Sequence, residues 1–263
     1  MMVPVRSLAP FIFILLLLWP ESPQNADAAQ SRRPTHYLNG VAPHIVNRNL
    51  AVKSHELIYD NFSVMHSGIS RTPLWAAEHL TNEAFTDTKK SRLPDDFHTE
   101  TRLQPRERSE PKDYRLSGYI PGQLAPTADM PTAKARTQSF ILSNVIPRNH
   151  GTNAHLWPQI ESSVREYAMK KGELYVITGP LFIGRNLERL NGRVLVPTHI
   201  YKLVFDPGKN IGAAYFVRNE PSMQLQVLSI PQLEKIAGIN FFPKLSDAEK
   251  GKMLKLPEPK ELR

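Results

Sequence analysis

Short apolar runs broken by polar turns recur along most of the chain, the pattern of strands that bury at least one face. Leu57-Ile58-Tyr59 and residues 62–65, FSVM, flank Asp60-Asn61 and predict two strands joined by a turn. Residues 173–182, ELYVITGPLF, are apolar and β-branched up to Gly179-Pro180 and predict a central strand. Residues 193–197 and 201–206 predict two more around a turn, and residues 213–219 follow as another. Lys202, alone on an apolar strand, is expected to snorkel at the sheet edge. Residues 227–230 run into Pro231 and a short helix that stops at Gly238. The period changes in residues 154–171, which predict a helix. Asn153, Trp157, Glu161 and Arg165 recur every four residues and share one face, while Ile160, Val164 and Tyr167 form the buried side.

Three stretches lack such patterning. Residues 30–49 are polar and read as a loose lead. Residues 86–111 are dense in charge and proline and read as a long surface loop, and from Lys244 the chain turns charged and helical or disordered. Residues 1–28 hold Arg6, an apolar run around 11–19 and Ala26-Asp27-Ala28. This is the pattern of a secretory leader cleaved near Ala28, which predicts a secreted or periplasmic protein. The apolar run is too short to cross a bilayer comfortably, so no stable membrane span is expected after processing. The expected organisation is therefore leader 1–28, lead 29–49, main domain 50–243 and tail 244–263.

The chain has 263 residues and no cysteine, so packing supplies its stability without disulfides or thiolate metal sites. Its formal charge is +8, and without the leader's Arg6, Glu21 and Asp27 it is about +9. Such an excess favours a polyanionic partner through counterion release.

Residues 113–130, DYRLSGYIPGQLAPTADM, and 139–165, SFILSNVIPRNHGTNAHLWPQIESSVR, together resemble the active-site segments of the DNA/RNA non-specific endonuclease family, the ββα-metal nucleases. The resemblance extends over residues 50–243. It implies a mixed α+β fold with a central, mostly antiparallel sheet flanked by helices and a ββα metal site. It further implies Asn153 as ligand of Mg²⁺, or of Mn²⁺ in its place, with most other ligands water. Glu161 would accept a hydrogen bond from a metal-bound water, Arg165 would pair with phosphate and Asn144 would support the substrate site. Arg71, beside a Pro-x-Trp strand, would approach substrate phosphate, and Arg92 and Phe97 match the family's long connection.

The departure from the family falls on the general base. Where the family reads Asp-Arg-Gly-His, this chain reads Ile120-Pro121-Gly122-Gln123. Gly118 and Gly122 still allow backbone to come close to a ligand, and Pro121 pushes Ile120 toward extended geometry. Gln123 can orient a water through its carbonyl but cannot carry a proton away. Losing a positioned base costs ~10²–10⁴ in rate, which leaves measurable catalysis by metal and electrostatics. His150 and His155 lie near in sequence and read as surface histidines. The function expected is metal-dependent hydrolysis of DNA and RNA with Gln123, Glu161 and Arg165 as catalytic residues. The alternative is an inactive nucleic-acid-binding relative.

Overall fold

The computed structural model describes residues 35–85, 96–151, 156–221 and 224–260, apart from the side chains of residues 83 and 84. The leader, Arg92, Asn153 and His155 lie outside the described residues. The centre is a seven-stranded sheet in the order β12-β11-β10-β7-β4-β3-β2, with every neighbouring pair antiparallel. Its strands are β2 (Ser54–Ile58), β3 (Phe62–Ser67), β4 (Thr72–Thr81), β7 (Glu173–Leu181), β10 (His199–Asp206), β11 (Ile211–Arg218) and β12 (Leu225–Leu228). β7 is the middle strand, as its unbroken apolar run predicts. The residues between the sheet's first and second halves form a two-stranded ribbon, β5 (Tyr119–Gln123) against β6 (Val145–Asn149). Helix α1 (Ala133–Ser139) lies in the connection between the ribbon strands, and α2 (Leu156–Lys171) follows the ribbon. The ribbon and α2 are the expected ββα unit within an α+β fold.

Period-2 alternation sorts the sheet residues between two cores. Ala76 and Leu80 of β4, Val176 of β7 and Ile200 and Val204 of β10 face α2, which lays Trp157, Ile160 and Val164 on them. Burying Ile160 or Val164 stabilises the packing by about 1.5–3 kcal/mol each. The opposite face, with Trp75, Ala77, Ile177 and Phe205, packs on α3 (Ile230–Ala237) and on Phe241 and Phe242. α3 starts on a capping box between Ser229 and Gln232 and ends at Gly238, whose φ of 66° supplies the left-handed stop.

The stretches 35–49 and 244–260 are better packed than their patterning predicts. Tyr37 is buried in the second core and donates to Glu56 at 2.8 Å, and the short β1 (His44–Ile45) pairs with β13 (Ile239–Asn240). In the later stretch Leu254 and Leu256 enter the core under α2, and Ser163 on α2 donates to the Glu258 carbonyl at 3.1 Å. Isolated apolar residues set among charges carry no period, so they give no warning of these anchors.

Candidate active site

On the ribbon, Gly122 makes room for an arginine. Cβ at Gly122 would collide with the guanidinium of Arg148, which crosses from β6 and donates to the Gln123 carbonyl. The guanidinium carbon sits 5.1 Å above the Trp157 ring of α2. Burial lowers the Arg148 pKa to about 10, which leaves it cationic at neutral pH. A cation therefore lies beside the glycine although Pro121 has replaced the one the family motif carries.

Gln123, the next residue, points to the other face of the ribbon by strand alternation. Its Nε2 donates to the Ser139 carbonyl at 2.9 Å and lies 3.1 Å from Ser139 Oγ. Its Oε1 accepts from the Thr127 amide at 3.2 Å and from Thr127 Oγ1 at 2.9 Å. A carbonyl can only accept and an amide N–H can only donate, so these partners fix the orientation of the Gln123 amide. Both donors and both acceptor directions are engaged. The expected water-orienting role would require Gln123 to give up a bond to Thr127.

Asn144 is fully buried in the loop before β6. Its Oδ1 accepts from the Ala125 amide at 3.0 Å, and its Nδ2 donates to the Ala125 carbonyl at 2.9 Å and the Ser139 carbonyl at 3.0 Å. Its polar atoms thereby hold the segment that follows Gln123.

Glu161 and Arg165 stand one turn apart on α2 and belong to a layer of charge between that helix and the sheet. Arg165 Nε donates to Asp129 Oδ1 at 2.6 Å, with the Arg165 side chain 21% exposed and that of Asp129 only 3%. Burial raises the Glu161 carboxyl pKa, offset in part by the cations of Arg148 and Lys202. From the sheet, Glu78 on β4 is 1% exposed, and among the described residues neither of its carboxylate oxygens has a hydrogen-bond partner. Burial, and then the charge of Asp129, push its carboxyl well above the ordinary range against the pull of Lys202. Lys202 is also 1% exposed and donates from Nζ to Thr178 Oγ1 at 2.8 Å. It lies on an interior strand, which corrects the expectation that it snorkels at the sheet edge.

Arg71 does not join this layer. It precedes β4, seven residues from Glu78, which corresponds to roughly 23 Å along an extended strand. There Arg71 Nε donates to the Arg106 carbonyl at 2.9 Å, and its charged neighbours are Arg193, Arg189 and Asp113. The structure therefore brings Glu161 and Arg165 together with Glu78, Asp129, Arg148 and Lys202, four residues the sequence reading did not place at the site. Gln123 is attached to the layer only through the Arg148 bond to its carbonyl. His150 is exposed at the surface.

Among the described residues no three His, Cys, Asp or Glu side chains converge into a metal cage. Glu161 of α2 offers hard carboxylate oxygens, the donor type that suits Mg²⁺ or Mn²⁺ held largely through water. Among the described residues no helix is long and apolar enough to cross a membrane.

Residues 42–248 match the model of the DNA/RNA non-specific endonuclease family. The mitochondrial nuclease EXOG of Danio rerio is 31% identical over 208 residues, covering 71% of this chain and 60% of the relative. Nuclease C1 of Cunninghamella echinulata is 30% identical over 206 residues, covering 71% of this chain and 82% of the relative. A crystal structure of the EndoG/EndoGI complex superposes with a TM-score of 0.67 at 26% identity, covering 76% of this chain and 91% of the other. The chain thus spans only about three-fifths of the zebrafish relative. Relatives from zebrafish, human and yeast are mitochondrial nucleases, and they overturn the expectation of a secreted or periplasmic protein.

Proposed function

We propose that this chain, a member of the DNA/RNA non-specific endonuclease family, hydrolyses phosphodiester bonds in both DNA and RNA with the help of a divalent cation. The observation that carries the reading is the pairing of Glu161 and Arg165 on one face of α2, with Arg148 beside Glu161 and Asp129 bonded to Arg165. Mg²⁺ or Mn²⁺, held by Asn153 and through water by Glu161, would supply positive charge at the scissile phosphate. Asp129 takes one edge of the Arg165 guanidinium and aims the remaining nitrogens at phosphate oxygen. Arg148 favours the anionic, accepting form of Glu161 and so opposes the effect of burial. Thr127 and Ser139 hold Gln123 as a brace that shapes the glycine turn, and the attacking water loses its proton to solvent. Without a histidine base the rate is expected to climb toward alkaline pH.

A second reading, a nucleic-acid-binding relative without turnover, is favoured by one observation: no titratable base stands at position 123, and the amide there is saturated with hydrogen bonds. Digestion of plasmid DNA and of RNA by the purified chain separates the two. Cleavage of both polymers with Mg²⁺ or Mn²⁺, abolished by chelation and reduced at least ~10²-fold in Glu161→Ala, is the expected result. No cleavage with either metal, or equal cleavage by Glu161→Ala, would leave the binding reading.

A further inference from the structure

A trough outside the catalytic layer begins at Pro121, two residues before Gln123. One depression of about 390 Å³ is lined by Asp96, Phe97, Tyr114, Arg115, Pro121 and Leu142 among others. A second, of about 440 Å³, is lined by Lys112, Arg115 and Arg193, with Glu110 and prolines. Pro111 and Arg115 belong to both, so the two depressions form one path away from the ribbon.

Its two ends differ in chemistry. The end near Pro121 is aromatic and apolar, and the far end is basic. The acids near the basic end are already engaged: Glu110 accepts from Arg108 Nε at 2.8 Å and from Thr99 Oγ1 at 2.6 Å, and Asp113 accepts from Arg193 Nε at 2.9 Å. Lys112 and Arg115 are exposed, and Arg71 adds its charge beside Arg193.

Beside Arg115 stands Leu116, whose side chain is fully exposed and whose φ is 53°. A leucine in the left-handed region is strained, and here no packing repays the strain. An exposed apolar side chain beside cations fits a ligand that offers flat apolar faces and a chain of negative charges.

We infer that this trough binds a single strand of nucleic acid, with Lys112 and Arg115 on its phosphates and Leu116 wedged against a base. A duplex hides its base faces, whereas an unpaired strand presents them to Leu116 and to the apolar end of the path. The inference rests on the nucleic-acid reading above but needs no turnover.

The test is fluorescence anisotropy of a labelled 20-nucleotide single strand, in EDTA and across a salt series, together with hydrolysis of bis-p-nitrophenyl phosphate in Mg²⁺. In the double variant Lys112→Glu, Arg115→Glu the Kd is expected to rise about tenfold or more, and the slope of log K against log salt to shrink by about 1.4. Lys170→Glu, an exposed charge reversal at the end of α2, should leave binding within about twofold of wild type. Leu116→Gly should weaken binding about threefold with the salt slope unchanged and without loss of thermal stability, since glycine accepts the backbone conformation. Hydrolysis of the small diester should be unchanged in all three variants.

Binding by the double variant equal to wild type or to Lys170→Glu would overturn the trough, as would a wild-type chain that binds no strand. Weakened binding in a chain that cleaves nothing would uphold the trough and remove the enzyme reading. Unchanged binding in a chain that still cleaves would do the reverse.

Discussion

The two sides of the β5–β6 ribbon show opposite ways of treating polar groups. On the Gln123 side every donor and acceptor of the amide meets a partner from Thr127 or Ser139, and Asn144 completes the same closed pattern on Ala125. On the α2 side Glu78, Asp129 and Glu161 are gathered with Arg148, Arg165 and Lys202, and Glu78 has no hydrogen bond among the described residues. Saturated neutral networks rigidify, whereas buried charges with unmet demand are costly and persist where chemistry uses them. The contrast teaches that Gln123 is bonded into the scaffold, while the cluster of buried and half-buried charged groups lies across the ribbon.

Removing a member of the closed side should be costly in stability. Asn144→Ala deletes three buried hydrogen bonds and is expected to destabilise the fold by about 2–4 kcal/mol, read as the midpoint of urea denaturation. A smaller denaturation shift would mean that the clasp is not rigid. Restoring a histidine tests the same side differently. Gln123→His frees Thr127 and Ser139 and should cost about 1–2 kcal/mol, yet raise cleavage near pH 7 by roughly tenfold or more if the ring can swing toward the substrate. An unchanged rate would mean that Pro121 and the ribbon hold position 123 away from the reaction.

The open side makes a pH prediction. The Glu78 carboxyl is raised in the folded chain, so its contribution to stability is fully present below the ordinary carboxylate value of 4.5 and is lost as pH rises through the folded value. Glu78→Gln keeps the shape and cannot ionise. Its melting temperature should therefore fall less than that of wild type between weakly acid and alkaline pH. Parallel melting curves for the two proteins would show that Glu78 is already ionised and paired.

Much of this architecture was legible in the residues. The unbroken apolar run of β7, the four-residue spacing through Trp157, Glu161 and Arg165, and the proline start and glycine stop of α3 each express a local rule, and the structure follows them. Glu78 and Lys202 left a fainter signal. Each sits at a strand position whose second neighbours, Ala76 and Leu80 or Ile200 and Val204, point inward, so period 2 alone would bury it. Reading Lys202 as an edge lysine failed because strand order is set by pairings distant in sequence, which local patterning does not encode. The same holds for Gln123, whose partner Ser139 lies 16 residues away, and for Arg71, which strand length carries far from Glu78. Arg148 was hidden by its ordinary context, and only the space over Gly122 shows its place.

The most direct test compares Glu161→Gln with Gln123→Ala in single-turnover cleavage of one labelled DNA strand, each variant confirmed as folded at the assay temperature. Expected is a loss of about 10²–10³-fold in Glu161→Gln and less than about threefold in Gln123→Ala. A fall in Gln123→Ala as deep as that in Glu161→Gln would show that the amide acts on the water after all and would contradict the division between a closed and an open side.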